Sequence, residues 1–309
     1  VPAADRRGGA RIPPGSPARA RGPARPPAVP LPIVDALPAA PEAESRYKTH
    51  RRLDRAARLF GEPGLHRLMA ARVAIFGMGG VGTFAAESLA RSGVGRLALV
   101  DFDEVCVTNS NRQLHALRGN IGKLKAEVMA ERLRLVSPTA TVDAVPKFYN
   151  AETSEELLAG ELDFVVDAID NLTAKAHLLA TCRARGIPVV SSMGAAGKLD
   201  PTRIRTGDLS DTEVCPLARD VRTLLRKNHG LTVTKGEPTG LSAVWSTEPT
   251  RAPEPVSYDE GQGFVCVCPN KDNGLYSCDR RTRIDGSASF VTGAFGLAAA
   301  SVVVRQLIA

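Results

Sequence analysis

Four glycines within six residues, Gly77, Gly79, Gly80 and Gly82, follow the apolar run 73–76. They contain the pattern G-x-G-x-x-G, and each glycine in it has a physical use. The first glycine makes a tight turn, the second lets backbone approach a phosphate, and the third lets the next helix pack closely on a sheet. A helix expected over 81–92 aims its N-terminal N–H groups at any anion above that turn. A strand expected over 97–100 ends in Asp101, a carboxylate placed to accept from a ribose hydroxyl. Glycines alone would signal little more than a tight turn. Bracketed by strand, helix, strand and acid, they make a nucleotide site.

More polar residues gather downstream. Asp103 and Glu104 follow at once, and Asn109, Asn111, Arg112 and Gln113 fill a loop with no apolar pattern. Asn120 is the expected N-cap of a helix running to about residue 135, with Pro138 just beyond. Lys123 and Lys125 then fall in its first turn, where cations oppose the macrodipole by about 0.3–1 kcal/mol. Either both are solvated at small cost or one faces an anion. A strand over 164–166 ends in Asp167, Asp170 and Asn171. Ligands of open parallel sheets bind beyond the carboxyl ends of the strands. Asp170 is therefore expected on the same rim as the glycine turn and Asp101, or as the N-cap of a helix over 172–185.

The elements that must hold these residues alternate strand and helix, the pattern of an α/β fold. It reads as a Rossmann-like, mostly parallel sheet with helices on both faces, plus a C-terminal substrate-binding extension. Helical spacing occupies 46–70, carrying Arg51, Arg52, Arg55 and Arg58, which read as a solvated basic face or as a source of one phosphate contact. Further strands are expected over 141–145, 187–192, 202–206 and 241–245, and helices over 152–158 and 215–228. The last segment, 289–309, is apolar almost throughout and is expected to be a core helix; it barely reaches the roughly 20 residues a membrane span requires.

Residues 1–45 differ in kind. They are rich in Pro, Ala, Gly and Arg and poor in acids. Such a segment buries too little to offset its ordering entropy. It fits a disordered tail or an organelle-targeting segment, which leaves the compartment open between cytoplasm, mitochondrion and chloroplast. Residues 46–309 divide into a nucleotide-binding core, 46–200, and a substrate and dimer region, 201–309. The net charge of +7 favours a polyanionic partner such as RNA, weakly, because part of the excess lies in the tail. Six cysteines show no paired spacing of a secreted scaffold. Cys266, Cys268 and Cys278, with Cys215 or His229 as a fourth ligand, could assemble a zinc site, but ordinary thiols are the simpler reading.

The motifs GMGGVG, DFD, N-x-N-R-Q, G-x-x-K over 122–125 and DAIDN resemble the ubiquitin-activating-enzyme-like (ThiF/MoeB/HesA) adenylyltransferases. ARLFG, DEVCVTNSNRQLHAL, GKLKAEVMAERL, KAHLL and the apolar tail after TGAFG are similar to the tRNA threonylcarbamoyladenosine dehydratase branch. The resemblance covers nearly all of 47–309. It implies a homodimeric, ATP- and Mg²⁺-dependent, ligase-type enzyme that cyclises a modified adenosine beside the tRNA anticodon, with no integral membrane segment. It also implies roles. Gly77, Gly79, Gly80 and Gly82 would line the nucleotide, with Asp101 on the ribose and Asp103 and Asn171 close by. Asn111, Arg112 and Lys125 would meet the phosphates and Asp170 the magnesium. Arg58, or Arg55, would contact ATP, in the wider family often across the dimer. Two features depart from the family: some relatives carry a cysteine where Ala243 stands, and the wider family's two C-x-x-C zinc pairs are missing. The competing readings are an enzyme activating a ubiquitin-like or sulfur-carrier C-terminus, a NAD-dependent oxidoreductase, and a non-enzymatic RNA- or membrane-binding scaffold.

Overall fold

Strand β1 (Arg72–Phe76) alternates its side chains between two cores. Val73 and Ile75 enter one, Ala74 and Phe76 the other, as the period of two in a strand buried on both faces requires. The computed structural model describes residues 51–254, 256 and 285–309. The N-terminal tail and Cys266, Cys268 and Cys278 lie outside the described residues.

From β1 the chain builds outward through α2 (Gly82–Arg91), β2 (Arg96–Val100), α3 (Lys125–Val136) and β3 (Thr141–Val145). The short α4 (Ser154–Leu157) leads to β4 (Phe164–Asp167), which pairs with the other edge of β1. Then come α5 (Leu172–Arg185), β5 (Val189–Ser192), β6 (Ile204–Asp208), α6 (Pro216–His229), β7 (Ser242–Ser246) and α7 (Ser289–Ile308). The seven-stranded sheet has the order β3-β2-β1-β4-β5-β7-β6, with only β6 antiparallel to its neighbour. Strand order therefore reverses between β1 and β4, the position where such sheets open a ligand crevice. Helices α2, α3 and α7 cover one face and α5 and α6 the other.

The lead-in helix α1 (Asp54–Ala70) is kinked. Gly61 sits at φ 74°, ψ 158°, and Pro63 removes a donor, so the helical run is broken there. Leu65 and Leu68 are buried beyond the kink. Helix α7 is long and apolar enough to cross a membrane. Here it packs on α2, burying Val291, Phe295, Ala299 and Val303, as expected of a core helix. The contact is close: a methyl group added at Gly296 would lie 2.3 Å from the Val81 carbonyl oxygen.

Two expected caps are corrected. Helix α3 begins at Lys125, not after Asn120. Residues 122–124 instead run beside 104–105. Gly122, at φ 85°, donates to the Val105 carbonyl at 2.9 Å, Val105 donates to Lys123 at 2.8 Å, and Glu104 bridges Leu124. That pairing holds the chain extended and moves Lys123 outside the helix. At α5 the cap is Asn171, whose Oδ1 accepts from the Ala174 N–H at 3.0 Å; Asp170 is left exposed.

One ion pair is completely buried. Lys175 Nζ donates to Asp167 Oδ2 at 2.6 Å, to Ser191 Oγ at 3.1 Å and to the Ser192 carbonyl at 3.0 Å, using all three of its protons. Removing one partner of such a pair strands a charge and costs about 3–5 kcal/mol, whereas removing both costs far less. Lys175→Met should lower the urea midpoint sharply, and adding Asp167→Leu should recover part of the loss. A double variant no more stable than Lys175→Met would contradict this.

Candidate nucleotide site

The glycine turn leaves the end of β1 under tight steric control. Gly77 adopts φ 92°, and a methyl group there would lie 2.6 Å from the Ala168 carbonyl oxygen on the turn after β4. At Gly82 a methyl group would lie 1.7 Å from the Gly77 carbonyl oxygen. No larger residue fits either point unless the backbone moves. Gly79 is different: nothing lies within 4 Å of where its side chain would be. It borders open space, the room a phosphate requires.

The polar groups of the turn can be accounted for one by one. Gly77 N–H donates to the Val100 carbonyl at 2.8 Å, and Met78 N–H to Asp101 Oδ2 at 2.6 Å. The Met78 carbonyl faces His115 Nε2 at 3.0 Å. The Gly79 carbonyl accepts from Thr83, from N–H at 3.2 Å and from Oγ1 at 2.8 Å. The N–H groups of Gly79, Gly80, Val81 and Gly82 have no acceptor among the described residues. Four successive donors at the start of α2, joined by the positive end of its dipole, form an anion site.

Charged side chains gather around it. Asp101 accepts from Met78 and, on Oδ1, from Asp103 N–H at 2.8 Å. A carboxylate has about four acceptor sites, so capacity remains for a ribose hydroxyl. Lys125 donates from Nζ to Asp103 Oδ2 at 2.7 Å, and its N–H to the Asp103 carbonyl at 2.9 Å. Burial works against the Lys125 charge, but Asp101, Asp103 and Asp170 outweigh it and hold the ammonium above the usual lysine value. Burial pushes the Asp101 carboxyl up; Lys125 pulls the other way and Asp103 adds like-charge repulsion. The suspicion that one cation in this turn faces an anion is therefore met by Lys125.

Arg112 lies against Gly80, its Cγ 3.1 Å from where a Gly80 methyl would stand, beside Thr292 of α7. Its Nη1 donates to the Thr108 carbonyl at 3.0 Å and to Asn111 Oδ1 at 2.9 Å. Asn111 Nδ2 in turn donates to the Ser287 carbonyl at 2.9 Å, docking the polar loop just ahead of α7. Asp170 is exposed, with no hydrogen bond to a described residue, yet near enough to act on Lys125. Gly77, Gly79, Gly80, Gly82, Asp101, Asp103, Asn111, Arg112, Lys125, Asp170 and Asn171 thus share one rim. Arg58 does not join them within one chain. It is 77% exposed on α1 and pairs with Asp54 at 3.0 Å.

No group of three or more His, Cys, Asp or Glu side chains is arranged to hold a metal among the described residues. A single exposed carboxylate such as Asp170 suits Mg²⁺, which keeps its waters and is shared with substrate phosphates. Two neighbours of the turn carried no role in the sequence reading. Thr292 is marked only by lying in TGAFG, and His115 only by lying in LHAL. His115 is 1% exposed, and its Nδ1 has no partner among the described residues. Burial, reinforced by the Lys125 charge, pushes its pKa down to about 4. Since the folded value lies below the unfolded one of about 6.5, stability is full above pH 6.5 and is lost as pH falls toward 4. This group alone should remove about 3 kcal/mol over that window. Urea titrations of His115→Gln should lack that component; an unchanged pH slope would refute it.

The pattern of the ThiF family matches residues 53–308. The chain is 40% identical to the tRNA threonylcarbamoyladenosine dehydratase of Escherichia coli strain K12 over 253 residues, 82% of this chain and 92% of that one. It is 47% identical to the Bacillus subtilis strain 168 protein of the same name over 188 residues, 61% and 71% of the two chains. The crystal structure of E. coli tRNA N6-threonylcarbamoyladenosine dehydratase, TcdA, in complex with ATP superposes with a TM-score of 0.71 at 37% identity, covering 84% of this chain and 94% of that one. The AMP complex of the same protein gives 0.72. With the family pattern matched over residues 53–308 and most of its length in common with these proteins, the chain belongs to the ThiF family.

Proposed function

We propose that this protein is an ATP-dependent tRNA threonylcarbamoyladenosine dehydratase. The observation that carries the reading is the row of four unspent N–H groups from Gly79 to Gly82, set between Asp101, Arg112 and Lys125. Similarity to dehydratases over most of the chain supports it, as does the ATP complex of a relative 37% identical. The competing reading, activation of a ubiquitin-like or sulfur-carrier C-terminus, calls for a thiol that some relatives carry where this chain has Ala243. That residue is fully buried in β7.

The chemistry follows from the substrate. A carboxylate is a poor electrophile because its leaving group would be oxide. Transfer of AMP to it makes a mixed anhydride whose leaving group is AMP. The ureido group of the same side chain then attacks the activated carbonyl, the ring closes as AMP departs, and the nucleoside has lost one water overall. Intramolecular attack has a large effective molarity, so this second step demands little from the protein. The first step demands more, because two anions must meet. The Gly79–Gly82 N–H groups, Arg112 and Lys125 answer the charge that grows as pyrophosphate leaves. Asp101 orients the ribose, with Asp103 and Asn171 as supports. Asp170 would hold Mg²⁺, which would supply further positive charge against the departing pyrophosphate. Arg58 would reach the site from a second copy of the chain in a homodimer.

Incubation with ATP and tRNA carrying the linear modification should yield a nucleoside lighter by one water; an unchanged mass would reject the reading. Each charge-assisted hydrogen bond is worth about 1.5–3 kcal/mol. Arg112→Ala or Lys125→Ala should thus cut kcat/KM for ATP by roughly ten- to a hundred-fold while sparing tRNA binding. Equal loss of both would reassign them as RNA contacts. Asp170→Ala should abolish tRNA-dependent AMP formation without unfolding the protein, and normal turnover would remove Asp170 from the mechanism. Mixing Arg58→Ala with Lys125→Ala, each impaired alone, should restore part of the activity if Arg58 acts across subunits. No recovery on mixing would place Arg58 in its own chain's site or outside the mechanism.

A further inference from the structure

The Met78–Gly79 peptide lies at the centre of the cradle, and its orientation decides where the first of the four free donors points. A trans peptide is planar, with its C=O and N–H directed to opposite sides. The Gly79 N–H therefore points outward only while the Met78 carbonyl is held inward. Among the described residues the carbonyl has one partner, His115 Nε2 at 3.0 Å. A glycine on one side of a peptide bond lowers the barrier to rotating that unit, because it allows backbone angles closed to other residues. Gly79 gives this freedom here, with open space where its side chain would be. The Met78 N–H is already fixed by Asp101. The carbonyl end is what remains to be fixed.

We infer that His115 is a positioning residue for the phosphate site: by donating from Nε2 to the Met78 carbonyl it locks the Met78–Gly79 peptide with the Gly79 N–H facing the nucleotide. The inference rests on the nucleotide reading above and adds to it a residue that touches no substrate.

Three observations argue for this role over simple core filling. A carbonyl only accepts, so Nε2 must carry the ring proton, and Nδ1 is left as a bare lone pair. That lone pair is buried and unpartnered among the described residues, a cost that an apolar side chain of equal size would avoid. The ring lies beside Lys125, whose charge opposes a second cation there. It therefore stays neutral, in one tautomer, with one donor aimed one way. Finally, His115 is anchored. Its own carbonyl accepts from Asn120 Nδ2 at 3.1 Å, and the Leu117 N–H donates to it at 2.8 Å. The polar loop that carries Arg112 is thereby tied to the glycine turn through the interior as well as at the surface.

The test compares ATP with adenosine, measured by calorimetry on the full chain. His115→Phe keeps the ring and removes the donor; His115→Gln keeps a donor that can reach the same carbonyl. His115→Phe should weaken ATP about tenfold, the effect of one charge-assisted hydrogen bond, and leave adenosine unchanged. His115→Gln should restore most of the ATP affinity. If His115 only fills the core, ATP and adenosine will fall together, or neither will fall, and the inference is overturned. Failure of the wild-type protein to prefer ATP over adenosine would instead reject the nucleotide reading itself. Should the phenylalanine variant not fold, a crystal structure of the wild type with ATP decides. A Gly79 N–H hydrogen-bonded to a phosphate oxygen supports the lock, and a Gly79 N–H turned away from the phosphates overturns it.

Discussion

The N–H groups of Gly79, Gly80, Val81 and Gly82 constrain everything around them, because four adjacent donors lack acceptors among the described residues. A helix start normally satisfies such groups with a capping side chain, but Val81 offers none. The turn is held open from behind. The Gly77 N–H, both polar groups of Met78 and the Gly79 carbonyl are all engaged by neighbours in the fold. Close approach at Gly77 and Gly82 leaves the backbone no room to collapse inward. The result is a candidate anion site whose donors are set in place by the fold, the arrangement that makes electrostatic stabilisation effective.

Prepared positive potential has to be balanced while the site is empty. Lys125 begins a helix, where the macrodipole disfavours a cation, and it is buried as well. Asp101, Asp103 and Asp170 compensate it. The same carboxylates then serve a nucleotide in the proposed mechanism, Asp101 on the ribose and Asp170 on the metal. On the proposed reading, this balance calls for more positive charge than the described rim holds. The described rim sets three carboxylates against Arg112 and Lys125, too little for a triphosphate and a substrate carboxylate together. Magnesium and an arginine of a second subunit would close the gap.

The central features of this fold were legible in the sequence because they are local. The strand at Thr141–Val145 and the helix at Leu172–Arg185 fall where hydrophobic period and caps place them. The glycine turn and Asp101 are close in the chain and were found together. Errors arose where distant backbone competes with local propensity. Asn120 looks like a helix cap, but Gly122 and Lys123 are captured by Val105, and the helix starts five residues later. Asp170 and Asn171 are both good caps by type, and only the fold shows which one turns inward. His115 and Thr292 were legible as motif members but not as neighbours of the turn, since nothing in sequence spacing brings Met78 to His115. Arg58 shows the same limit, because among the described residues of one chain it pairs with Asp54.

The most direct measurement is the nucleotide product of turnover on tRNA bearing the linear modification. Adenylation of the carboxylate requires AMP and pyrophosphate, formed one for one with the cyclised nucleoside. ADP and phosphate, or cyclisation without any ATP cleavage, would contradict it.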